Sequence, residues 1–308
     1  MKPPAFISWF VGIALATTLF FVSSCQNSVI EEPEVVVPSE NKTESKTESK
    51  TKEEPYNVCF AIIGYEDARF GTNTKADAGG LADVCKRVDA QVFDADGSRV
   101  VKKSLIAADG ACLDTLKLNL PDGDYWIVIM AHSCTGAPTF TSPNKITFPN
   151  NKVTDTLYKY LTFSVAGSTV QQQDVVLKRA VAALRMTIPE DRPDSVSSFK
   201  FYYTGGSSTF DATAGYGCVN SRQTEMRYVS SDDEQNAYTV YTFPHEEEDH
   251  IDIIITAYDK DGNTLANVKI INWQVVRNVI KTYELSFDRS FNITVEDDWD
   301  KDWYPLTP

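Results

Sequence analysis

The sequence predicts an all-β protein made of two antiparallel β-sandwich domains in tandem. From Tyr56 onward, short runs rich in Val, Ile, Tyr and Phe alternate with Asp, Gly, Asn and Pro turns, which is typical of sandwiches and not of βαβ units. Within Leu113 to Leu120, the residues Leu116, Leu118 and Leu120 alternate with polar residues, and this period of two places them on one face of a sheet. An Asp-x-Asp-Gly turn between apolar runs occurs at Asp94 to Gly97 and again at Asp259 to Gly262, which suggests two similar sandwiches.

The N-terminus has the pattern of an export signal. Lys2 precedes an apolar run from Phe6 to Val22, which is short for a bilayer span of about 20 residues. The run ends in Val22-Ser23-Ser24-Cys25 and resembles a lipoprotein box, in which the signal is removed before the Cys and the Cys carries the acyl chains. We therefore expect residues 1–24 to be a signal peptide and Cys25 to be the lipidated first residue. The alternative is an ordinary N-terminal transmembrane anchor, but no cluster of positive residues follows Cys25.

Residues 25–55 are predicted to form a disordered tether. They are dominated by Glu, Pro, Ser, Thr and Lys, and the tetrapeptide Lys-Thr-Glu-Ser is repeated at Lys42 and Lys46. Such a segment buries too little apolar surface to offset the entropy of ordering it. As a flexible coil it would hold the folded part about 30 Å from the lipid.

The predicted strands follow one another without a convincing helix, apart from a short helical turn near Ala76 to Asp83. One of them, Asp124 to Ala131, is apolar on both faces, as expected inside a sandwich. The others are Val58 to Ile63, Val88 to Phe93, Arg99 to Ile106, Leu113 to Leu120, Val153 to Phe163, Asp174 to Leu177, Val181 to Ile188, Ser198 to Tyr203, Tyr238 to Phe243, His250 to Tyr258, Thr264 to Trp273, Ile280 to Phe287 and Phe291 to Val295.

Charge and cysteine content restrict the partners and cofactors. The formal charge of −14 becomes −15 once Met1 to Ser24, with one Lys and no acid, is removed, so nucleic acid would be repelled. The other cysteines have no CxxC pair, which disfavours zinc, and their odd number permits up to two disulfides in an exported chain. The spacings of Cys59, Cys85, Cys112, Cys134 and Cys218 do not fix the connectivity; we favour Cys59 with Cys85, or Cys112 with Cys134.

The catalytic and metal motifs that we searched for are incomplete. His245 and His250 are five residues apart after a Pro, whereas a zinc-protease motif needs two His four apart on a helix. The two Asp-x-Asp-Gly turns lack the acidic twelfth residue of a calcium loop, since Leu105 and Ile270 stand there. We therefore expect no metal, no cofactor and no enzyme activity. Paired carboxylates leave no local signature, so a hydrolase stays a distant alternative.

Four stretches together resemble the fimbrillin superfamily of Bacteroidales, most closely its fimbrial anchor and accessory lipoproteins. They are Val92 to Gly97, Leu120 to Tyr125, Asp174 to Ile188 and Phe291 to Trp299, and the likeness runs from about Val58 to Trp299. The resemblance implies two transthyretin-like sandwiches, here residues 56–178 and 179–308. It also implies a lipid anchor in the outer membrane, a surface-exposed location, and pilin subunits as partners.

The family resemblance also implies assembly by strand exchange, which identifies candidate site residues. Val58, Phe60 and Ile62 lie on the candidate first strand, and a trypsin-like protease would cut after Arg69 in a polymerising pilin. For Arg69 the simpler interpretation is a solvated loop residue, and an anchor subunit would keep its first strand. The candidate C-terminal docking strand contains Phe291, Ile293 and Val295.

The sequence therefore predicts a non-enzymatic lipoprotein that acts as a fimbrial anchor or accessory subunit, with a host or bacterial surface ligand as a further partner. Within the family, the alternative is a polymerising pilin cleaved after Arg69. In another class, the alternative is a surface carbohydrate-binding lipoprotein that uses exposed aromatics such as Trp299 or Trp303.

Overall fold

Strands account for most of the described chain, in agreement with the alternating apolar pattern. The computed structural model describes residues 55–66, 80–167, 169–187, 192–230, 237–287 and the backbone of 293–297. The first half of the described chain contains the strands β1 Val58–Tyr65, β2 Arg87–Asp94, β3 Arg99–Ile106, β4 Thr115–Leu118, β5 Gly123–His132, β6 Thr139–Ser142, β7 Lys145–Thr147, β8 Thr156–Val165 and β9 Gln171–Arg179.

The second half is also made of strands, and the helical elements of the described residues are short. Its strands are β10 Ala182–Thr187, β11 Ser198–Thr204, β12 Thr209–Asp211, β13 Tyr216–Gly217, β14 Arg222–Tyr228, β15 Ala237–Thr242, β16 Glu248–Tyr258, β17 Thr264–Val276, β18 Ile280–Phe287 and β19 Ile293–Asp297. The helix α1 Leu81–Val84 and the 3₁₀ turns Ala107–Asp109 and Pro149–Asn151 occur in the first half. All of these elements belong to one compact unit, Glu53–Pro308.

The first half folds into a sandwich. Its strand order is β3-β2-β5-β8-β9-β1-β4, but β8 and β9 are joined by only two residue pairs, Leu157↔Arg179 and Tyr158↔Lys178. The ribbon therefore folds over, and β9-β1-β4 packs against β3-β2-β5-β8 around a shared apolar interior, which we call the first core. The first core contains Val58, Phe60, Ile62, Val88, Val92, Leu116, Leu118, Ile127, Ile129, Leu157, Val175 and Leu177.

The strands of the second half follow the same order in their sheets as those of the first half. The two sheets of the second half have the orders β14-β11-β16-β17 and β15-β10-β18-β19. Their facing side chains form the second core, which contains Leu184, Met186, Phe199, Phe201, Tyr238, Val240, Ile253, Ile255, Trp273, Tyr283, Leu285 and Phe287. The all-β, sandwich-like fold predicted from the sequence is confirmed. One detail differs, because β1 runs parallel to β9 and β10 runs parallel to β18, while the other pairings are antiparallel.

A small sheet with strands from both halves was not predicted. Strands β6 and β7 are inserted between β5 and β8, and β12 and β13 between β11 and β14. Because β7 pairs with β12, as in Ile146↔Phe210, the insertions form one sheet of order β13-β12-β7-β6. Between this sheet and β5 lies the third core, which contains Phe93, Val128, Met130, Phe140, Ile146, Phe148, Tyr158, Val181, Phe210 and Phe243. Apolar residues on both faces of β5 are thus explained by the first core on one side and the third core on the other.

The two Asp-x-Asp-Gly turns are nearly identical but do not occupy equivalent places. Gly97 and Gly262 have φ of 79° and 83°, and the Oδ1 atoms of Asp94 and Asp259 each accept backbone N–H groups two and four residues later. They join β2 to β3 and β16 to β17, whereas the strand orders match β16 and β17 with β5 and β8. The two turns therefore share their hydrogen bonding but not their position in the fold. The two halves do resemble each other, but the resemblance is in their strand order, and the turns did not indicate it correctly.

The predicted disulfides are wrong. Each of the five cysteines in the described residues carries a free thiol. Cys85 lies in the first core, but Cys59 follows Val58 and precedes Phe60 on β1, so its side chain is on the opposite face of that strand. Cys112 is exposed while Cys134 is buried in the third core. Neither pair therefore has side chains that meet.

Candidate functional site

The strand β1 occupies a central place in its sheet. It pairs antiparallel with β4, as in Phe60↔Leu116, and parallel with β9, as in Ile62↔Val175. A strand that has neighbours on both sides satisfies its own backbone groups and theirs. Removal of β1 would therefore leave two rows of unpaired N–H and C=O groups, and an apolar slot between them.

The inward side chains of β1 fill that slot. Val58, Phe60 and Ile62 are 2%, 0% and 7% exposed, and all three belong to the first core. The ring of Phe60 meets that of Phe163 on β8 edge to face, with 5.1 Å between centroids. Ile63 points to the other face and is 46% exposed. The alternation in the sequence thus placed Phe60 and Ile62 on the same side, and the structure puts that side in the core.

The beginning of β1 is fastened by Asn57. Its Nδ2 donates to the Leu120 carbonyl at 2.6 Å, and its Oδ1 accepts the Leu120 backbone N–H at 2.9 Å. Its backbone N–H also donates to the Leu118 carbonyl at 3.0 Å, and its carbonyl accepts the Gln171 N–H at 2.9 Å. These bonds hold the point where the predicted tether enters the sandwich.

The end of β1 meets a residue of the second half. The Glu66 backbone N–H donates to the carbonyl of Leu177 at 2.8 Å, and the Glu66 carboxylate lies 3.8 Å from the guanidinium of Arg277. Arg277 also lies 3.8 Å from Glu247 and donates to the Arg179 carbonyl at 3.1 Å. Arg277 therefore connects the end of the first strand with the chain segment between the two halves.

That segment is held by a buried ion pair. Arg179, which is 3% exposed, donates from Nε and Nη2 to the two carboxylate oxygens of Asp155 at 2.9 and 3.1 Å. Its Nη1 donates to Asn278 at 3.2 Å, and the Asn278 backbone N–H donates to the Val181 carbonyl at 2.9 Å. Bidentate Arg–carboxylate pairs fix geometry as well as charge. The passage from β9 to β10 is therefore tied to the residue that precedes β8 and to the turn between β17 and β18.

Several predicted site residues lie outside the described residues, namely Cys25, Arg69 and Phe291. Ile293 and Val295 are on β19, which pairs with β18 and with no other described strand. Their backbones form the pairs Phe287↔Ile293 and Leu285↔Val295. β19 therefore has one described neighbour, which is the position of an edge strand.

Residues 245–247 form a bend that leads into β16, and His250 lies on β16 itself. The His245 Nδ1 lies 2.7 Å from an oxygen of Asp249, and its Nε2 lies 3.2 Å from the carbonyl of Val219. Burial raises the pKa of Asp249. Hydrogen bonds from His245 and from the His250 backbone lower that pKa by a larger amount, so it is below the usual value. Among the described residues no group of three His, Cys, Asp or Glu has the arrangement of a metal site.

A buried polar cluster beside the third core was not predicted. The Cys134 backbone N–H donates to His132 Nδ1 at 3.2 Å, so Nε2 carries the hydrogen and donates to Asp89 at 2.9 Å. Burial lowers the pKa of His132. Burial raises the pKa of Asp89, but hydrogen bonds from His132, Arg87 and Ser104 outweigh it and lower that pKa to about 2. Asp89 and His132 are fully buried, Arg87 is nearly so, and Ser104 is at the exposed edge, so the cluster is a hydrogen-bonded network inside the fold.

The chain matches a known protein family. The model of the fimbrillin-A associated anchor proteins Mfa1 and Mfa2 matches residues 52–302. The chain belongs to this family. The match covers β1 to β19 in full. The family is fimbrial, which indicates a protein of the cell surface and pilin subunits as partners. No curated protein sequence gave a significant match.

Solved structures of similar outline come from related bacteria. One, from Bacteroides thetaiotaomicron and proposed to bind polysaccharide, has 13% identity and a TM-score of 0.49, covering 80% of this anchor-family chain and 99% of that chain. A proposed cell adhesion protein from Bacteroides ovatus has 11% identity and a TM-score of 0.48, covering 82% and 99%. A fimbrial assembly protein from Parabacteroides distasonis has 13% identity and a TM-score of 0.37, covering 80% and 97%. Likenesses at this level do not bear on function.

Within the described part of this anchor-family chain, no helix has the length and apolar character needed to cross a bilayer.

Proposed function

We propose that this protein is a lipid-anchored subunit of a fimbria, of the anchor or accessory type, that is attached to the outer membrane through Cys25 and joins pilins by β-strand complementation. It consists of two sandwich domains, residues 56–178 and 179–308, and has no catalytic role. The polar stretch 25–55 spaces the domains from the lipid.

The observation that carries the proposal is the position of β1. This strand lies between β4 and β9 and fills the first core with Phe60, which is fully buried. It is also the strand nearest to Cys25 in sequence. A subunit that keeps β1 stays covalently joined to the proposed lipid at Cys25, so a slot filled by the subunit's own β1 agrees with lipid anchoring. A subunit that lost β1 would lose both.

The edge strand β19 is the second element in the proposal. An edge strand presents backbone groups that another chain can pair with, and its side chains can add specificity through pockets on the partner. We propose that Phe291, Ile293 and Val295 belong to the docking edge of this subunit. Pilins are the partners that the family implies.

The first test determines the N-terminus of the protein from its native cells by mass spectrometry, with and without lipase treatment. Retention of β1 predicts an acylated Cys25 as the first residue. A start at Phe70 would overturn the anchor assignment and identify a pilin cleaved after Arg69, and Arg69→Ala should then restore the longer chain.

The second test measures membrane attachment. Cys25→Ala should move the folded protein from the outer-membrane fraction to the soluble fraction, because the acyl chains can no longer be added. Cys112→Ala, at an exposed cysteine of the described residues, is the matched control and should leave the fractionation unchanged. Outer-membrane retention of the Cys25→Ala protein would contradict lipid anchoring.

A further inference from the structure

A cavity opens on the outward face of the first half, beside the turn that joins β2 to β3. Its volume is about 320 Å³, and it is lined by residues 124–126 of β5, by residues 162–164 of β8, and by Ala95 of the turn. Asp124, Thr162, Ser164 and Ala95 are exposed, and Trp126 is half-buried. The cavity is therefore open to a ligand from solvent.

Strand pairing brings four of these β5 and β8 residues together. Trp126 lies opposite Thr162, and Asp124 lies opposite Ser164. Residues two apart on a strand point to the same face, so these four side chains form one patch. The patch is on the face of β5 opposite to the first core, because the intervening residue Tyr125 belongs to that core.

The patch combines an aromatic ring with groups that can still form hydrogen bonds. Ser164 Oγ donates to Asp124 Oδ1 at 2.5 Å, which orients the carboxylate and leaves Oδ2 as an acceptor. Within the described part of the chain, neither the Trp126 indole N–H nor the Thr162 hydroxyl makes a hydrogen bond. The cavity thus offers two donors and at least two acceptors around one large apolar surface.

We propose that this cavity binds a single neutral sugar unit of a surface glycan. The C–H face of a pyranose suits an indole ring, while its hydroxyls suit a carboxylate oxygen, a threonine hydroxyl and an indole N–H. An anionic ligand would meet the charge of Asp124 and of a chain with net charge −14. The volume is at the small end of the range of about 300–1,000 Å³ that is usual for ligand pockets, which suits one sugar ring.

This inference goes beyond the proposed fimbrial function and is independent of it. The cavity belongs to β5 and β8, whereas β1, the strand proposed for joining subunits, lies beyond the fold between β8 and β9, on the opposite layer of the sandwich. Loss of sugar binding should therefore leave membrane attachment and the N-terminus unchanged. It also differs from the expectation for Trp299 and Trp303, which lie outside the described residues.

The test measures saturation-transfer NMR and intrinsic tryptophan fluorescence on the full mature protein, titrated with neutral methyl glycosides of glucose, galactose, mannose and N-acetylglucosamine. At least one glycoside should bind saturably with a change in fluorescence. Trp126→Ala should weaken that binding at least tenfold, and Asp124→Asn and Thr162→Ala should each weaken it several-fold.

Controls separate loss of the site from loss of the fold. Asp124 and Thr162 are exposed, so their variants should keep the wild-type unfolding transition even if Trp126→Ala does not. Tyr228→Ala, at an aromatic residue that is 72% exposed outside the cavity, should bind like the wild type. The proposal is overturned if no glycoside binds at tens of millimolar, if binding is unaffected by Asp124→Asn and Thr162→Ala, or if a cationic amine binds at Asp124 in place of the neutral sugars.

Discussion

Truncation of Phe60 tests how far β1 contributes to the first sandwich. Its side chain is 0% exposed and meets Phe163 edge to face at 5.1 Å. Replacing a buried Phe by Ala removes its transfer free energy and leaves a cavity, which together cost about 3–5 kcal/mol. The free energy of unfolding of a domain is about 5–15 kcal/mol, so Phe60→Ala should remove a large part of it.

The matched control is Ile63→Ala on the same strand. Ile63 is 46% exposed on the outward face, so its truncation should cost less than about 1 kcal/mol. Urea unfolding of both variants, followed by tryptophan fluorescence and circular dichroism, gives the two free energies by linear extrapolation. If Phe60→Ala cost no more than Ile63→Ala, β1 would not be packed in the core in solution, and the argument from its burial would fail.

Three further predictions concern the buried Asp155–Arg179 pair, the buried polar cluster at His132 and a close contact at Gly206. Asp155→Asn should lower the free energy of unfolding by about 3–5 kcal/mol, because it leaves buried Arg179 without its charge partner, and a loss below 1 kcal/mol in urea would contradict this. Stability should fall as the pH drops below about 6.5, because burial lowers the pKa of His132 and the unfolded chain takes up the proton first. Urea midpoints at pH 7.5 and 5.5 measure this fall, and His132→Gln should reduce it. Gly206→Ala should cost about 1–3 kcal/mol, since its new methyl group would meet the Thr242 hydroxyl, and an unchanged midpoint would argue against that close contact.

Local patterns in the sequence predicted the sandwich strands well. Arg99 to Ile106 and Ile280 to Phe287 coincide with β3 and β18, and most other bounds differ by one to three residues. The expected helical turn near Ala76 to Asp83 corresponds to α1 Leu81–Val84 within the described residues. These elements carry their signal in their own residues, either as alternation or as a turn with a positive φ. Nearby residues are sufficient to specify them.

The shared sheet could not be predicted in the same way. Strands β6, β7, β12 and β13 have only two to four residues each, and β14 reads as polar because Arg, Gln, Thr and Glu fill it. The pairing of Ile146 with Phe210 joins residues more than sixty positions apart. No periodicity within either insertion indicates that the other will be its partner. These strands form because a neighbouring strand is present, and the sequence alone does not show it.

Part of the candidate site could be predicted from local sequence patterns, and part could not. The inward face of β1 follows from alternation, and the structure places Phe60 and Ile62 in the first core, while their role in joining subunits stays a prediction. The cavity at Trp126 had no such signal, because Thr162 and Ser164 reach it only through pairing between β5 and β8. Aromatic residues near the C-terminus were the only sugar platform that linear reasoning could suggest.

The three cores indicate how the protein could hold or release β1 without losing its shape. All described β1 side chains that are buried in a core belong to the first core, and none belongs to the second or third. The third core joins the insertions of both halves to β5 and would keep its contacts if β1 were absent. The direct ionic contact between the end of β1 and the second half is Glu66 with Arg277, at 3.8 Å and partly exposed, and exposed pairs contribute little. The binding of β1 is therefore decided almost entirely within the first sandwich, whereas the union of the halves depends on the shared sheet and on the bonds of Arg179 to Asn278 and Arg277.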